Sequence, residues 1–221
     1  VRSGGLWGVA GIRAGAEGVR DMVSAGESRC IRYLTPFVLS RENWGLQLAE
    51  VRGLLALVSR YLRREVAKLV ADGVRLRVIG RRDRFSAGLQ KLIAKAETQT
   101  QAGDRAVLTL ALDYGGRWDV TDVVQSIAHD VASGQIAPEE ISEEMISQRL
   151  STSDLPDPDL CIRTAGEARM SNFLLWQLAY AEFWFTEVLW PDFDETVLDL
   201  ALAAYAVRER RFGVRPLLHR Y

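Results

Sequence analysis

From Ala49 to Asp72 apolar residues return at Val51, Leu54, Leu55, Val58, Leu62, Val66 and Leu69. That spacing marks one face of a helix about 36 Å long, closed by Gly73. The period then drops to two: Val74, Leu76 and Val78 alternate with Arg75 and Arg77 in a short strand ending at Gly80. The same switch recurs along the chain. Arg13 to Ala25 reads as a helix with Gly26 near its end, and Cys30 to Leu39 as a β-rich run. A weaker helix covers Leu89 to Thr98, and Val107 to Leu112 is almost continuously apolar, as a buried central strand would be. The glycine turn of "DYGGRWD" leads into a helix with Val120, Val123, Val124, Ile127, Ala128 and Val131 on one face, stopped at Gly134. Pro138 suits the first turn of a further helix, Asp159 to Arg163 is a last core strand, and Asp194 caps a closing helix that ends near Gly213.

Strand–helix alternation of this kind predicts an α/β fold with a mostly parallel central sheet flanked by helices. The 221 residues read as a single domain, large enough to bury roughly 70–75% of its extended-chain surface without disulfides. Ligands of such sheets bind beyond the carboxyl ends of the strands. Three polar clusters follow strands: Ser40 to Trp44, Asp113 to Trp118, and Arg163 to Ser171.

Charge narrows the classes. Lys and Arg total 28 against 29 Asp and Glu, a net charge of −1, which argues against a nucleic-acid binder but not against a small anionic substrate. Cys30 and Cys161 fit no metal spacing and no disulfide framework. No apolar run approaches the roughly 18 residues that span a bilayer; the longest, Phe173 to Phe185, is broken by Gln177 and Glu182. A reducing cytoplasm is the default location, with at most peripheral contact with a membrane, which the resemblance described below would make the inner membrane face. The chain starts at Val1 rather than methionine, so residues upstream are expected.

The chemistry concentrates in "IRTAGEARMSN". Arg163 leaves a strand, Arg169 follows six residues on, and Ser171 with Asn172 is placed to open an apolar helix. Two guanidiniums beside a helix start form a phosphate seat; the plainer reading is two surface salt bridges and an N-cap. Glu182 stands among Ala179, Tyr180, Ala181, Phe183 and Trp184, where a carboxylate is costly unless paired or metal-bound. An arginine partner is the simple answer and a hard divalent cation the functional one. In "SRENW", Ser40, Glu42 and Asn43 could position a ligand with Trp44 as a wall, or merely cap a helix. "DYGGRWD" is neither a dinucleotide nor a Walker fingerprint, and His129 and His219 lack the company a catalytic histidine needs.

Taken together, "SRENW", "RLRVIG", "DYGGRWD", the segment from Leu155 to Asp194 and the closing "RERRFG" resemble the cis-prenyltransferase family, in particular its bacterial undecaprenyl diphosphate synthases, from about Gly5 to Gly213. The resemblance implies condensation of isopentenyl diphosphate with an allylic diphosphate, usually farnesyl diphosphate. The product would be a long-chain Z-polyprenyl diphosphate such as undecaprenyl diphosphate, the precursor of a cell-wall lipid carrier. It also implies Mg²⁺, a homodimer, and an apolar tunnel beside the sheet for the growing chain. Residue by residue, Arg163, Arg169 and Ser171 match those that hold isopentenyl diphosphate, and Glu182 matches an acid associated with the metal. Ser40, Asn43 and Trp44 match the loop near the reacting centres, where Asn and Ser are linked to proton removal. Glu50 and Arg13 match further substrate-side positions, and Arg211 and Gly213 an end that closes over the diphosphate. Leu54, Leu55, Val58 and Leu62 are candidates for the tunnel wall.

The family pattern also carries an Asp-Gly-Asn-Gly-Arg-Trp loop on a first strand, whose aspartate is the principal Mg²⁺ ligand. Its place lies upstream of Val1, so the domain is expected here without that strand and loop. Gly8 stands where arginine is usual, Ile12 for histidine, Leu46 for arginine and Asp113 for asparagine. These departures fall on the allylic side. They leave open a second reading: a catalytically impaired homologue acting as a partner subunit or a polyprenyl-phosphate binding module.

Overall fold

The computed structural model of the protein describes residues 9–45 and 48–208. Its centre is β4 (Ala106–Tyr114), whose apolar run predicted a buried strand and which is buried from Leu108 onward. β3 (Val74–Ile79) pairs with it in parallel on one side. On the other side lie β1 (Tyr33–Leu34) and β2 (Phe37–Ser40), also parallel. These two are the halves of the single run expected from Cys30 to Leu39. Pro36 divides them, because proline has no N–H to give to the ladder, and the register against β4 shifts between Phe37 and Leu39 and again before Ser40.

The helices are where the periodicity puts them: α1 (Val9–Ser28), α2 (Leu48–Ala71), α3 (Ala87–Thr100) and α4 (Gly116–Ala132). Leu62, Val66 and Leu69 of α2 and Ile93 of α3 pack against Leu76 and Val78 of β3 and Leu108 and Leu110 of β4. Each such side chain contributes about 1.5–3 kcal/mol on burial. Pro138 opens a single 3₁₀ turn, Pro138–Glu140, followed by the one-turn α5 (Glu143–Ser147). The closing helix α6 (Glu195–Ala206) starts as expected, with the Asp194 carboxylate accepting from Val197 N at 3.0 Å. It ends at Ala206 rather than near Gly213, which lies outside the described residues.

A second, two-stranded parallel sheet joins β5 (Leu160–Arg163) to β6 (Glu182–Phe185). β6 has no counterpart in the sequence reading, which treated Phe173 to Phe185 as one apolar run. The helix expected to open at Ser171 and Asn172 does not form. Ser171, Asn172 and Leu174 have φ of 51°, 63° and 42°, a left-handed geometry that a right-handed helix cannot contain. Tertiary contacts hold the segment there: Gly116 N donates to Asn172 O at 2.7 Å, and the Phe173 ring stacks on Phe37 with centroids 4.7 Å apart.

Among the described residues β1 and β2 pair only with β4, and β5 only with β6. Between these two open edges lies an apolar cavity of about 800 Å³. Its walls include Tyr33 and Val38 from one edge, Leu160 and Ile162 from the other, and Met22 of α1. Of the expected tunnel residues, Leu54 and Val58 line it. Leu62 is instead sealed in the core and Leu55 packs against that core.

The end of β3 is clamped on β4. Gly80 has φ 107°, and a Cβ there would lie 2.1 Å from the Leu112 carbonyl oxygen. Gly80→Ala therefore meets both a disfavoured backbone and a backbone clash, each of which costs about 1–3 kcal/mol. Urea denaturation should show a loss of more than about 2 kcal/mol; an unchanged midpoint would contradict this packing.

Candidate functional site

The strand ends meet at one level. β2 runs out at Ser40 into a 3₁₀ turn, Arg41–Gly45, where the Asn43 side-chain oxygen accepts from Ser40 N at 3.0 Å. β4 runs out through Asp113 and Tyr114 to Gly115 and the start of α4. β5 runs out at Arg163 into the loop that carries Arg169 and Ser171. The three polar clusters expected beyond the strands thus come together. Asn172 joins them: its Nδ2 donates to Glu42 Oε1 at 2.7 Å, its Oδ1 accepts from Arg117 N at 2.9 Å, and its carbonyl accepts from Gly116 N. Glycine at 115 makes this approach possible, since a Cβ there would lie 2.7 Å from Asn172 Nδ2.

Two contributors escaped the sequence reading. Asn172 was treated as a helix cap rather than a junction. The other is the arginine-rich stretch after β3, "RRDR", from Arg81 to Arg84. Its signal was available: a charged cluster directly follows a strand, as at the three clusters that were recognised. Arg81 N donates to Asp113 O at 3.2 Å, and the Arg84 guanidinium lies over the Trp44 ring, 5.4 Å from its centroid. Arg41 lies likewise over Trp118 at 5.5 Å.

The electrostatics of the mouth are cationic with local carboxylate partners. Arg163 Nη2 donates to Ser171 Oγ at 3.4 Å, while its Nε is buried without a hydrogen-bond partner. Arg169 is largely exposed and ion-paired with Glu167. Burial works against the Glu42 carboxylate, but hydrogen bonds from the backbone, Asn172 and Ser40 outweigh it and hold its pKa below the usual range. Beneath the mouth, the buried Asp119 carboxylate accepts from Tyr114 OH at 2.8 Å and from Ser151 Oγ at 2.7 Å. Burial, with Asp119 adding to it, pushes the Tyr114 hydroxyl pKa well above its ordinary value, so it stays a neutral donor.

Other expected site residues lie apart. Glu182 opens β6 opposite Leu160, whereas Arg163 is opposite Phe185; the two sit at opposite ends of the strand pair, about 10 Å along it. Arg208 Nη1 donates to Glu182 Oε2 at 2.7 Å and to Phe183 O at 2.8 Å. Among the described residues no three His, Cys, Asp or Glu side chains converge as a metal would require. Glu50 is exposed in the first turn of α2. Arg13 lies on α1, but its side chain is outside the described residues, as are Arg211, Gly213, Gly8 and Leu46.

A cationic mouth beside an apolar cavity agrees with the relatives of this chain. Residues 2–213 match the family model described as putative undecaprenyl diphosphate synthase. The chain is 50% identical over 206 residues to the (2E,6E)-farnesyl-diphosphate-specific ditrans,polycis-undecaprenyl-diphosphate synthase of Xanthomonas axonopodis pv. citri, covering 93% of this chain and 80% of that one. It is 49% identical over 205 residues to the isoprenyl transferase of Chromobacterium violaceum, covering 93% and 79%. Among solved structures, lavandulyl diphosphate synthase from Lavandula x intermedia in complex with dimethylallyl diphosphate superposes with a TM-score of 0.90 at 38% identity, covering 93% of this chain and 89% of that one. A probable undecaprenyl diphosphate synthase from Campylobacter jejuni gives 0.80 at 30% identity, covering 90% and 92%. The chain belongs to the undecaprenyl diphosphate synthase family of prenyltransferases.

Proposed function

We propose that the protein condenses isopentenyl diphosphate with farnesyl diphosphate, repeatedly, into a long-chain Z-polyprenyl diphosphate of the undecaprenyl type. The observation that carries this is the stacking of two unlike environments. Arg163, Arg169, Ser171, Ser40 and Asn43 gather at the strand ends, beside an apolar cavity of about 800 Å³. A substrate with a doubly phosphorylated head and a hydrocarbon tail needs both. The 50% identical relative is farnesyl-diphosphate specific, which supports that allylic partner.

In each cycle the allylic C–O bond breaks and pyrophosphate leaves with the bonding pair. The terminal alkene carbon of isopentenyl diphosphate forms the new C–C bond, and loss of a proton from the adjacent methylene restores a double bond. Arg163 and Arg169 hold the isopentenyl diphosphate with Ser171. Fixed guanidiniums and a hydroxyl at that head hold the attacking alkene in position against the allylic carbon. Asn43 and Ser40, hydrogen-bonded to each other through Ser40 N, stand where the proton is removed. Trp44 walls the mouth.

The edges of β1–β2 and β5 support a seat, in the part of the cavity between them, for one further strand, the one expected to carry the metal-binding aspartate, and leave the part walled by Leu54 and Val58 of α2 to the tail. The Arg32 and Pro36 carbonyls accept from Val107 and Ala111 N–H, so the alternating groups of Tyr33 and Thr35 face the cavity. On β5, the Asp159 and Arg163 carbonyls accept from Glu182 and Thr186 N–H, so those of Leu160 and Ile162 face it from the other side. Rows of backbone donors and acceptors are satisfied by polypeptide and not by hydrocarbon. Mg²⁺ belongs to this proposal through the diphosphates, whose oxygens are ligands it favours. The described residues form no complete metal site, with Glu182 engaged by Arg208, and no step is drawn through the ion. A homodimer, a cytoplasmic location and peripheral membrane contact complete the reading; among the described residues no helix is long and apolar enough to cross a membrane.

Steady-state kinetics of Arg163→Ala should raise KM for isopentenyl diphosphate about tenfold or more, the weight of one charge-assisted hydrogen bond, and leave KM for farnesyl diphosphate within about twofold. An equal rise in both would mean that Arg163 serves another site. Chelation with EDTA should abolish turnover and added Mg²⁺ restore it; full activity in EDTA would remove the metal from the reading.

A further inference from the structure

Two aspartates of β4 and α4 are fully buried, and they differ in one respect. Asp119 has a donor on each oxygen, whereas neither oxygen of Asp113, at 0% exposure, has a hydrogen-bond partner. An unpaired buried carboxylate is expensive. Asp113 also adopts φ 49°, a conformation that costs an L-residue further energy. Its left-handed turn breaks the alternation of β4: Leu108, Leu110 and Leu112 pack in the core toward α2 and α3, while Ala111 and Tyr114 both join the opposite cluster. Two costs at one residue in a site mouth suggest a partner not yet engaged.

That partner is on the neighbouring turn. Trp44 Nε1 is buried and also lacks a hydrogen-bond partner, as does Arg41 Nη1. Burial pushes the Asp113 carboxyl pKa up; the Trp44 indole N–H, near the carboxyl but outside hydrogen-bonding geometry, draws it back, followed by Arg84, Arg41 and Arg81. Arg84 stacks on the Trp44 ring, so a cation is attached to the side chain that would move, and Arg41 of the same turn reaches Trp118 of α4. We infer that Asp113 is a positioning residue for the Arg41–Gly45 turn, docking the Trp44 indole N–H when a diphosphate draws Arg41 and Arg84 toward the mouth. Docking fixes Asn43 and Ser40 over the bound substrate. Asparagine is the usual residue here in the resembling family, and its amide oxygen could accept the same bond; aspartate adds a charge that also faces three arginines. The inference deepens the proposed function and rests on it for the kinetic half of its test.

The structural half uses wild-type protein, labelled with ¹⁵N at tryptophan, and inorganic pyrophosphate as probe. The Trp44 indole signal, assigned by its loss in Trp44→Phe, should move downfield as pyrophosphate saturates the site, the direction of a new hydrogen bond to a carboxylate. The shift should vanish in Asp113→Ala. In the kinetic half, Asp113→Ala should lower kcat about tenfold or more with KM for isopentenyl diphosphate within about twofold, and Asp113→Asn should recover most of the loss. An indole signal that ignores pyrophosphate in the wild type overturns the inference without any Asp113 variant. So does an Asp113→Asn enzyme as slow as Asp113→Ala, or a KM that rises in step with the fall in kcat. Should the wild type bind pyrophosphate but never turn over, the proposed function fails, and the indole shift alone decides the role of Asp113.

Discussion

Asn172 holds the molecule's two sheets in register at the site. Among the described residues no strand pairing connects β5 and β6 to the sheet around β4, yet the loop after β5 reaches both the turn after β2 and the start of α4 through Asn172. Its side-chain amide spends the donor on Glu42 and the acceptor on Arg117 N, and its carbonyl takes Gly116 N. A charged acceptor and two backbone donors leave it little choice of orientation. The left-handed backbone at 171, 172 and 174 is the local strain this junction requires, and strain persists where surrounding contacts over-determine it. Arg163, Ser171, Ser40 and Asn43 share a mouth because this junction is made.

The junction also separates two dielectric worlds. Above it stand guanidiniums, two of which, Arg41 and Arg163, have an N–H group with no protein partner; below it the aromatic cluster of Phe37, Tyr114 and Phe173 closes over apolar side chains. Tyr114 is the hinge between the two. Its ring lies in the apolar cluster while its hydroxyl is tied to Asp119, which in turn binds Ser151. A head group held above that layer would find charge; a tail passing it would find mostly apolar side chains.

How much of this was legible in the chain depends on where the physics is local. The periodicities of α2, β3 and β4 are set by burial of one face, which leaves its print in spacing, and those elements were readable to within a few residues. The polar clusters after β2, β4 and β5 could be read as a site because strands of one sheet end on one side. The segment from Ser171 to Phe185 could not be read the same way. Its composition suits a helix, but its conformation is chosen by Asn172, Phe37 and the pairing of Glu182 with Leu160, contacts 22 to 136 residues distant or set by a sheet pairing that no local pattern announces. The Arg81–Arg84 stretch was passed over although the same strand-end rule applied to it, and the position of Asp113 is what gives those arginines a focus.

The interruption at Pro36 has a dynamic corollary. Because the ladder along β1 and β2 is broken there and its register slips twice before Ser40, the part of the sheet bearing Ser40 and Asn43 is anchored by a very short run of backbone bonds. Local opening is governed by such counts rather than by the global free energy. On warming, amide protons of Val38 to Ser40 would exchange with solvent well before those of Leu108 to Leu112, and the protein would lose its working geometry while its interior remained folded.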